Sequence, residues 1–265
     1  MAENDKSLGS TIEETKRIWQ ELGQWWAEGT HEGDAFHKEF IFPYIQKLAS
    51  VKSGNILLDA GCGSGALARL FAKENAQIVA VDFSASLLKE AQEYSKGLNI
   101  DYREIDLTNT AQLKALSNEF KFDTIICSMV LHNMPTIEPL FESLHYLLKP
   151  CGNFIFSIPH PCFNTEMVKY NFSQTNLPAG TFITTSNYSK AQVFRVKSKP
   201  NQPVEQLSFD RPLTDILNML LKNGLVMSGF EEPIANSTST SEHKGFWHNY
   251  PHVPPALIAR WTLLA

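Results

Sequence analysis

Nine residues, Leu57-Leu58-Asp59-Ala60-Gly61-Cys62-Gly63-Ser64-Gly65, limit what this chain can fold into more than any other stretch. An apolar run closes on an acid, glycines follow at alternate positions, and a helical pattern opens at Ala66 and runs to Lys73. Strand, glycine turn and helix in that order present free backbone N–H groups at a helix N-terminus. The glycines let a ligand approach the main chain without meeting a Cβ. The alternation then continues. A strand over Ile78–Val81 ends at Asp82, Ser84 caps a helix over Leu87–Tyr94, and a strand over Ile100–Ile105 ends at Asp106. A fourth strand spans Phe122–Cys127, a helix lies around Ile137–Leu148, a turn occupies Lys149–Gly152, and Asn153–Ile158 is the fifth strand. Strands separated by helices imply crossover connections and a parallel sheet.

The flanks complete an expected α/β, Rossmann-like, seven-stranded, mostly parallel sheet with helices on both faces. Residues from about Ser10 to Ala49 read as helical, with Thr11 and Glu14 as a capping box and Ile12, Ile18, Trp19, Leu22 and Trp26 at helical spacing. After Pro159 the alternation breaks into a polar, aromatic, proline-punctuated stretch with short strands at Gln192–Val196 and Val204–Phe209. Pro212 stands where a helix begins, Gly224 ends that helix, and Val226–Phe230 and Ala256–Leu264 supply the last two strands. One domain of 265 residues is expected: a helical cap over 1–53, a cofactor-binding core over 54–158, an acceptor-side insertion over 159–211 and a closing helix and strands over 212–265.

Composition narrows the function. A net charge of −5 lacks the basic excess of a duplex-gripping protein, so no nucleic-acid partner is expected. No apolar run approaches the ~18–20 residues of a membrane span, and the polar start (Met1 to Ser10) has no secretory pattern. The expectation is a cytoplasmic protein without a membrane partner. The four cysteines, at 62, 127, 151 and 162, form no Cys-x-x-Cys pair and read as reduced thiols.

Two ligands fit the glycine turn. Gly61-x-Gly63-x-x-Ala66 satisfies a dinucleotide fingerprint, with Asp82 placed 21 residues after Gly61 for a ribose. That reading gives an NAD(P)-dependent oxidoreductase. Asp59 raises the cost of a pyrophosphate at the same turn, and would favour a ligand carrying an ammonium and a sulfonium. S-adenosylmethionine is such a ligand, and its ribose diol also needs Asp82.

The whole segment resembles the core of the class I S-adenosylmethionine-dependent methyltransferases. Leu57–Gly65 is similar to their glycine motif, and Val79-Ala80-Val81-Asp82-Phe83-Ser84 to their second-strand acid with an adenine-side aromatic. Glu104-Ile105-Asp106-Leu107 resembles the segment whose acid meets the adenine amino group. Phe122–Asn133 resembles the fourth strand and the loop beside the methionine moiety, and Leu147-Leu148-Lys149-Pro150-Cys151-Gly152-Asn153 their entry to strand five, with Cys151 replacing a glycine. Gly33-Asp34 with His37, Phe156–Phe163 and Phe209–Leu213 resemble a bacterial small-molecule subset, related to the ubiquinone-biosynthesis-type methyltransferases. The resemblance implies S-adenosylmethionine as cofactor, S-adenosylhomocysteine as product, no metal, and a small-molecule methyl acceptor. It places Asp59, Ala60, Gly61, Gly63, Gly65, Asp82, Phe83, Asp106, Leu107, Ser128 and Met129 around the cofactor.

Methyl transfer from a sulfonium is an in-line displacement that needs chiefly alignment and dryness, and a base only when the acceptor must lose a proton. Candidates lie beyond the carboxyl ends of strands four and five. His132 and His160 occupy those places, as proton acceptors or acceptor-orienting groups. Tyr188, Phe194 and Arg195 are candidate acceptor-pocket walls, Arg195 suiting an anionic acceptor. Trp19, Trp25 and Trp26 read as a helix core or a lid. His243, His248 and His252 lack compact zinc spacing, and Cys162 reads as a buried thiol that this chemistry does not use. Asn133-Met134-Pro135-Thr136 stands where a nucleic-acid methyltransferase would carry an Asn/Asp-Pro-Pro-aromatic run. A non-catalytic cofactor-binding protein is the remaining rival.

Overall fold

The computed structural model describes residues 2–166, 168–172, 181–185, 187–235, 246–249 and 252–264. In the core, β1 (Ile56–Ala60), α3 (Ala66–Ala72), β2 (Gln77–Asp82), α4 (Ala85–Tyr94), β3 (Ile100–Glu104), α5 (Thr110–Glu119), β4 (Phe122–Ser128), α6 (Glu138–Leu147) and β5 (Leu148–Pro159) follow one another. Before them stand α1 (Ala2–Thr30), a π-helical turn (His37–Ile41) and α2 (Phe42–Ala49). After them come two hairpins, β6 (Val168–Phe172) with β7 (Thr181–Thr185) and β8 (Gln192–Val196) with β9 (Gln206–Asp210), then α7 (Leu213–Lys222), β10 (Leu225–Glu231) and β11 (Ala256–Leu263).

The seven-stranded sheet has the order β10-β11-β5-β4-β1-β2-β3. Strands β1 to β5 pair in parallel, while β11 is antiparallel to both β5 and β10. Successive strand residues point to opposite faces, so Leu57 and Leu58 serve different cores. Leu58, Val79, Ile125 and Phe154 pack with α5, α6 and α7. Leu57, Ile78, Ile126 and Ile155 pack with α2 and α3. Strand order reverses between β1 and β4, and ligands of open α/β sheets bind beyond the carboxyl ends at such a point.

Several local expectations change. Thr11 lies inside α1, where its carbonyl accepts from the Thr15 hydroxyl at 2.8 Å, so no capping box starts there. Helix α5 fills a stretch where the sequence pattern marks no helix; Asn109 caps it by accepting from the Gln112 N–H at 3.1 Å. Strand β5 begins at Leu148, through the expected turn, where Cys151 takes φ +61° at the place of the family's glycine. Pro212 is the N-cap of α7 rather than its first helical residue. The hairpin β6–β7 adds a second pair of strands to the insertion. Ser84 does cap α4, accepting from the Leu87 N–H at 3.4 Å. His243 lies outside the described residues.

Candidate active site

The turn after β1 is built from main-chain bonds. Gly61 and Cys62 donate their N–H groups to the Val81 carbonyl at 2.8 and 2.9 Å, tying the turn to β2. Gly61 has φ +78°, and a Cβ there would come within 2.6 Å of Val130 Cγ2. Gly63 has φ +54°, yet a Cβ on it would meet nothing within 4 Å. The space beside Gly63 is the open cradle that a ligand can enter.

Two buried acids flank the cradle. Asp82 is 8% exposed; its Oδ2 accepts from the Gly63 N–H and its Oδ1 from the Ser84 N–H, both at 2.9 Å. Burial outweighs those bonds and pushes its carboxyl up to about 6. Asp59 is 2% exposed, and its Oδ2 has no hydrogen-bond partner. Burial first, and then the charge of Asp82, push Asp59 up to about 7, against the Ala68 N–H and Arg69. Two carboxyls kept partly protonated by a dry, like-charged setting are suited to receive a cation. Asp106, the third strand-end acid, accepts from the Thr108 N–H and hydroxyl and pairs with Lys16 of α1 at 2.9 Å. Burial would raise its carboxyl, but Lys16 and Thr108 prevail and lower it.

A cavity of about 610 Å³ joins this cradle to a second compartment, a size typical of small-molecule sites. Asp59, Gly61, Gly63, Asp82 and Phe83 line the first compartment, with Asp106, Leu107, Ser128 and Met129. Ala60 and Gly65 stand behind the wall: Ala60 is in β1, and Gly65, at φ +77°, is the N-cap of α3. Trp19 and Trp26 line the cavity and also pack in the core of α1, their rings edge-on at 5.0 Å.

The second compartment takes in His132 but not the other sequence candidates. His160 is 2% exposed; its Nε2 pairs with Glu232 at 2.8 Å and its Nδ1 accepts from the Cys162 N–H at 3.1 Å. Both ring nitrogens are used in holding the chain after β5, and burial lowers the imidazole pKa despite Glu232. Tyr188 accepts from the Leu213 N–H at 3.1 Å and tethers α7. Arg195 points to solvent and pairs with Glu14 of α1 at 2.7 Å, so it offers the cavity no cation. His248 lies 3.2 Å from Glu39, and among the described residues no group of three or more metal-ligating side chains occurs.

His132 Nδ1 is sealed from solvent without a partner, a state that costs ~1–3 kcal/mol. Burial, then Arg211 and His37, push the ring down to about 3, so it is neutral near pH 7. Three features of this compartment carry no site role in the sequence reading, although Gly33–Asp34 with His37 and Phe209–Leu213 are part of the resemblance. Arg211 donates to the carbonyls of Leu131, Met134 and Pro135 at 3.0, 2.6 and 2.9 Å, clamping the loop that carries His132. Asp34 accepts from His37 Nδ1 at 2.7 Å, and its other oxygen pairs with Lys199 at 2.7 Å. Asp210 and Glu166 add carboxyls to the wall. The Asp-x-x-His spacing within one helical turn was the available signal for the Asp34–His37 pair.

Comparison with known proteins agrees with the geometry. A family model described as a methyltransferase domain matches residues 58–154. The chain is 34% identical over 215 residues to the ubiquinone biosynthesis O-methyltransferase of Histophilus somni, covering 76% of this chain and 83% of that protein. It is also 34% identical over 116 residues to the enzyme of that name from Actinobacillus pleuropneumoniae serotype 7, where the match covers 43% of this chain and 50% of the relative. The chain thus spans about half the length of the first such relatives and most of the Histophilus one. Among solved structures, an S-adenosylmethionine-dependent methyltransferase from Mesorhizobium loti superposes with a TM-score of 0.65 at 20% identity, covering 83% of this chain and 96% of that one. The glycopeptide N-methyltransferase MtfA in complex with S-adenosylmethionine gives 0.55 at 12% identity, covering 84% and 92%. At these identities the structures bear on fold alone.

Proposed function

This chain belongs to the class I S-adenosylmethionine-dependent methyltransferases, and on that footing we propose that it methylates a small molecule held in the second compartment, using S-adenosylmethionine held in the first. The supporting observation is the open cradle at Gly63 between two buried acids, one of which, Asp59, carries an unpartnered oxygen. A group with an ammonium and a sulfonium fits such a setting. A pyrophosphate would add negative charge beside two carboxyls in a low-dielectric pocket, which argues against the dinucleotide reading.

When bound, S-adenosylmethionine supplies an electrophilic methyl group with its leaving group in place. The chain's own residues then bind, align and exclude water. Asp59 and the Gly61–Gly63 main chain receive the amino-acid end. Asp82 is already anchored through Gly63 and Ser84 and accepts from the ribose hydroxyls without further ordering. Phe83 and Leu107 receive the adenine, with Asp106 at its rim under Lys16. The Arg211 clamp fixes the loop after β4 on the side where the acceptor enters. Alignment of this kind is worth ~7–11 kcal/mol of barrier.

Calorimetric titration of S-adenosylhomocysteine against NADH and NADPH tests the reading. S-adenosylhomocysteine should bind and neither dinucleotide should. Binding of a dinucleotide in preference to it would overturn the assignment. Methyl release to an acceptor pool separates an enzyme from a cofactor-binding protein.

A further inference from the structure

Six of the seven large apolar side chains that stand exposed among the described residues gather at one edge of the sheet. They are Leu221 on α7, Val226, Met227 and Phe230 on β10, Ile234 shortly after it, and Leu264 just after β11. We propose that two copies of the chain associate through this edge, β10 against β10 about a two-fold axis. The proposal is independent of the methyl-transfer reading, since none of the six lines the cavity.

Strands β3 and β10 are the two edges of the sheet. An open edge invites another strand, and proteins blunt it with charge, proline or a bulge. Strand β3 carries Asp101, Arg103 and Glu104 among its five residues, with Arg103 paired to Asp101 and to Glu119. Strand β10 has one charged residue, Glu231, and Lys47 pairs with it at 2.6 Å. Its only blunting device is a bulge between Met227 and Gly229, where Arg260 Nη2 donates to the Ser228 carbonyl at 2.8 Å. Among the described residues no strand pairs with its outer side. Residues 236–245, further along toward β11, include no apolar side chain that could cover the patch.

Side chains directly opposite each other in an antiparallel pair share a face. Met227 stands opposite Trp261 and Phe230 opposite Ala259, and both partners belong to the core beneath α7. Met227 and Phe230 therefore point to the α7 side, where Leu221 is exposed as well. On the other side α2 already covers the strand, for a Cβ on Gly229 would come within 2.7 Å of Leu48 Cδ2. A two-fold axis normal to the sheet, passing between Ser228 and Gly229, keeps the α7 sides of both copies together. It sets Met227 of each copy opposite Phe230 of the other, a sulfur–aromatic contact made twice. The same register carries Lys222 toward the other copy's Glu232.

Area and charge favour a second copy as the occupant. At 37–61% exposure the six side chains leave ~500 Å² of apolar surface in water, and one side of a standard interface, ~800 Å² at ~56–65% apolar, has ~450–520 Å². The patch holds what a stable dimer buries and little more. An anionic membrane would call for a cluster of lysines and arginines. Here Lys222 stands with Glu231, bound to Lys47, and Glu232, bound to His160.

Sedimentation velocity between about 1 and 100 µM, the range in which micromolar association shows, tests the proposal on the full chain. The samples are wild type, Phe230→Glu, Met227→Lys and an equimolar mixture of these two variants. Wild type should sediment as two chains at about 10 µM, within the range of affinities that interfaces of this size reach. Each variant alone should sediment as one chain, its association weakened about 100-fold or more by a charge buried against an apolar side chain. The mixture should sediment as two chains again, because one Met227–Phe230 contact survives and the other becomes a lysine opposite a glutamate. Far-UV circular dichroism like that of wild type shows that each variant folds. Leu264→Glu, just after β11, should weaken association by about tenfold and keeps the test open should a β10 variant misfold. The proposal fails if wild type remains one chain at about 100 µM, or if all three variants associate as tightly as wild type. It fails equally if the folded variants do not pair when mixed. Wild type that stays single and sediments with phosphatidylglycerol vesicles would overturn it in favour of a lipid surface.

Discussion

The half of the cavity proposed for the donor is assembled from consecutive βα turns and closed by main-chain bonds, whereas the half proposed for the acceptor draws on segments far apart in the chain, among them 33–42, 131–135, 158–166 and 196–211. In the first, Asp82 is held by two N–H groups, Gly63 and Ser84, that follow the ends of β1 and β2. In the second, His132 depends on amides at 202 and 206, and Asp34 on Lys199. A site made of backbone tolerates change in its surroundings, while one made of relayed side chains can be retuned by single substitutions.

Mutations that strike one half should leave the other standing. Asp82→Ala removes the acceptor of both N–H groups and the proposed ribose partner, and should weaken S-adenosylhomocysteine binding ~100-fold or more, since hydrogen bonds to a charged group are worth ~1.5–3 kcal/mol each. Arg211→Met leaves three carbonyls of the His132 loop unpaired. It should lower Tm by roughly 5–10 °C in a thermal melt, yet change S-adenosylhomocysteine affinity by less than about threefold. Equal damage to both halves would break the comparison.

Asp59→Asn sharpens it. The folded chain holds protons on Asp59 and Asp82 up to about 7 and 6, while an unfolded chain releases them near ~4. A raised carboxyl pKa means that the unliganded protein loses stability as pH climbs through that window. Asp59→Asn should therefore raise the unliganded Tm at pH 8 by about 2–4 °C, with little change at pH 4. It should also weaken S-adenosylmethionine by roughly tenfold, and by more than S-adenosylhomocysteine, which lacks the sulfonium charge. Arg195→Ala, at an exposed ion pair with Glu14, should alter Tm and either affinity by no more than about 1 °C or twofold.

The same division explains what could be read from residues alone. Strands β1 to β4 and the Ser84 cap follow local patterns, and the acids at their ends fall where such turns put them. Helix α5 escaped because its buried face has only Leu113, Leu116 and Ser117, too little apolar signal in a polar stretch. The histidines could not be sorted by position. His160 and His132 both follow strands, but His160 meets Glu232, 72 residues away, and is spent on structure. His37 stands before the sheet begins, and only folding brings its Asp34 partnership to the cavity that holds the glycine turn. Arg195 looked like an acceptor ligand by charge alone, and its position on β8 turns it to Glu14 instead.

The most direct test of the central claim is calorimetric titration of S-adenosylmethionine at pH 7 in buffers of different ionisation enthalpy. A cation settling between Asp59 and Asp82 should expel protons, so the observed heat should vary with the buffer, and Asp59→Asn should reduce that variation. Tight binding with no proton release, or release unchanged in Asp59→Asn, would contradict a positively charged donor at these carboxyls.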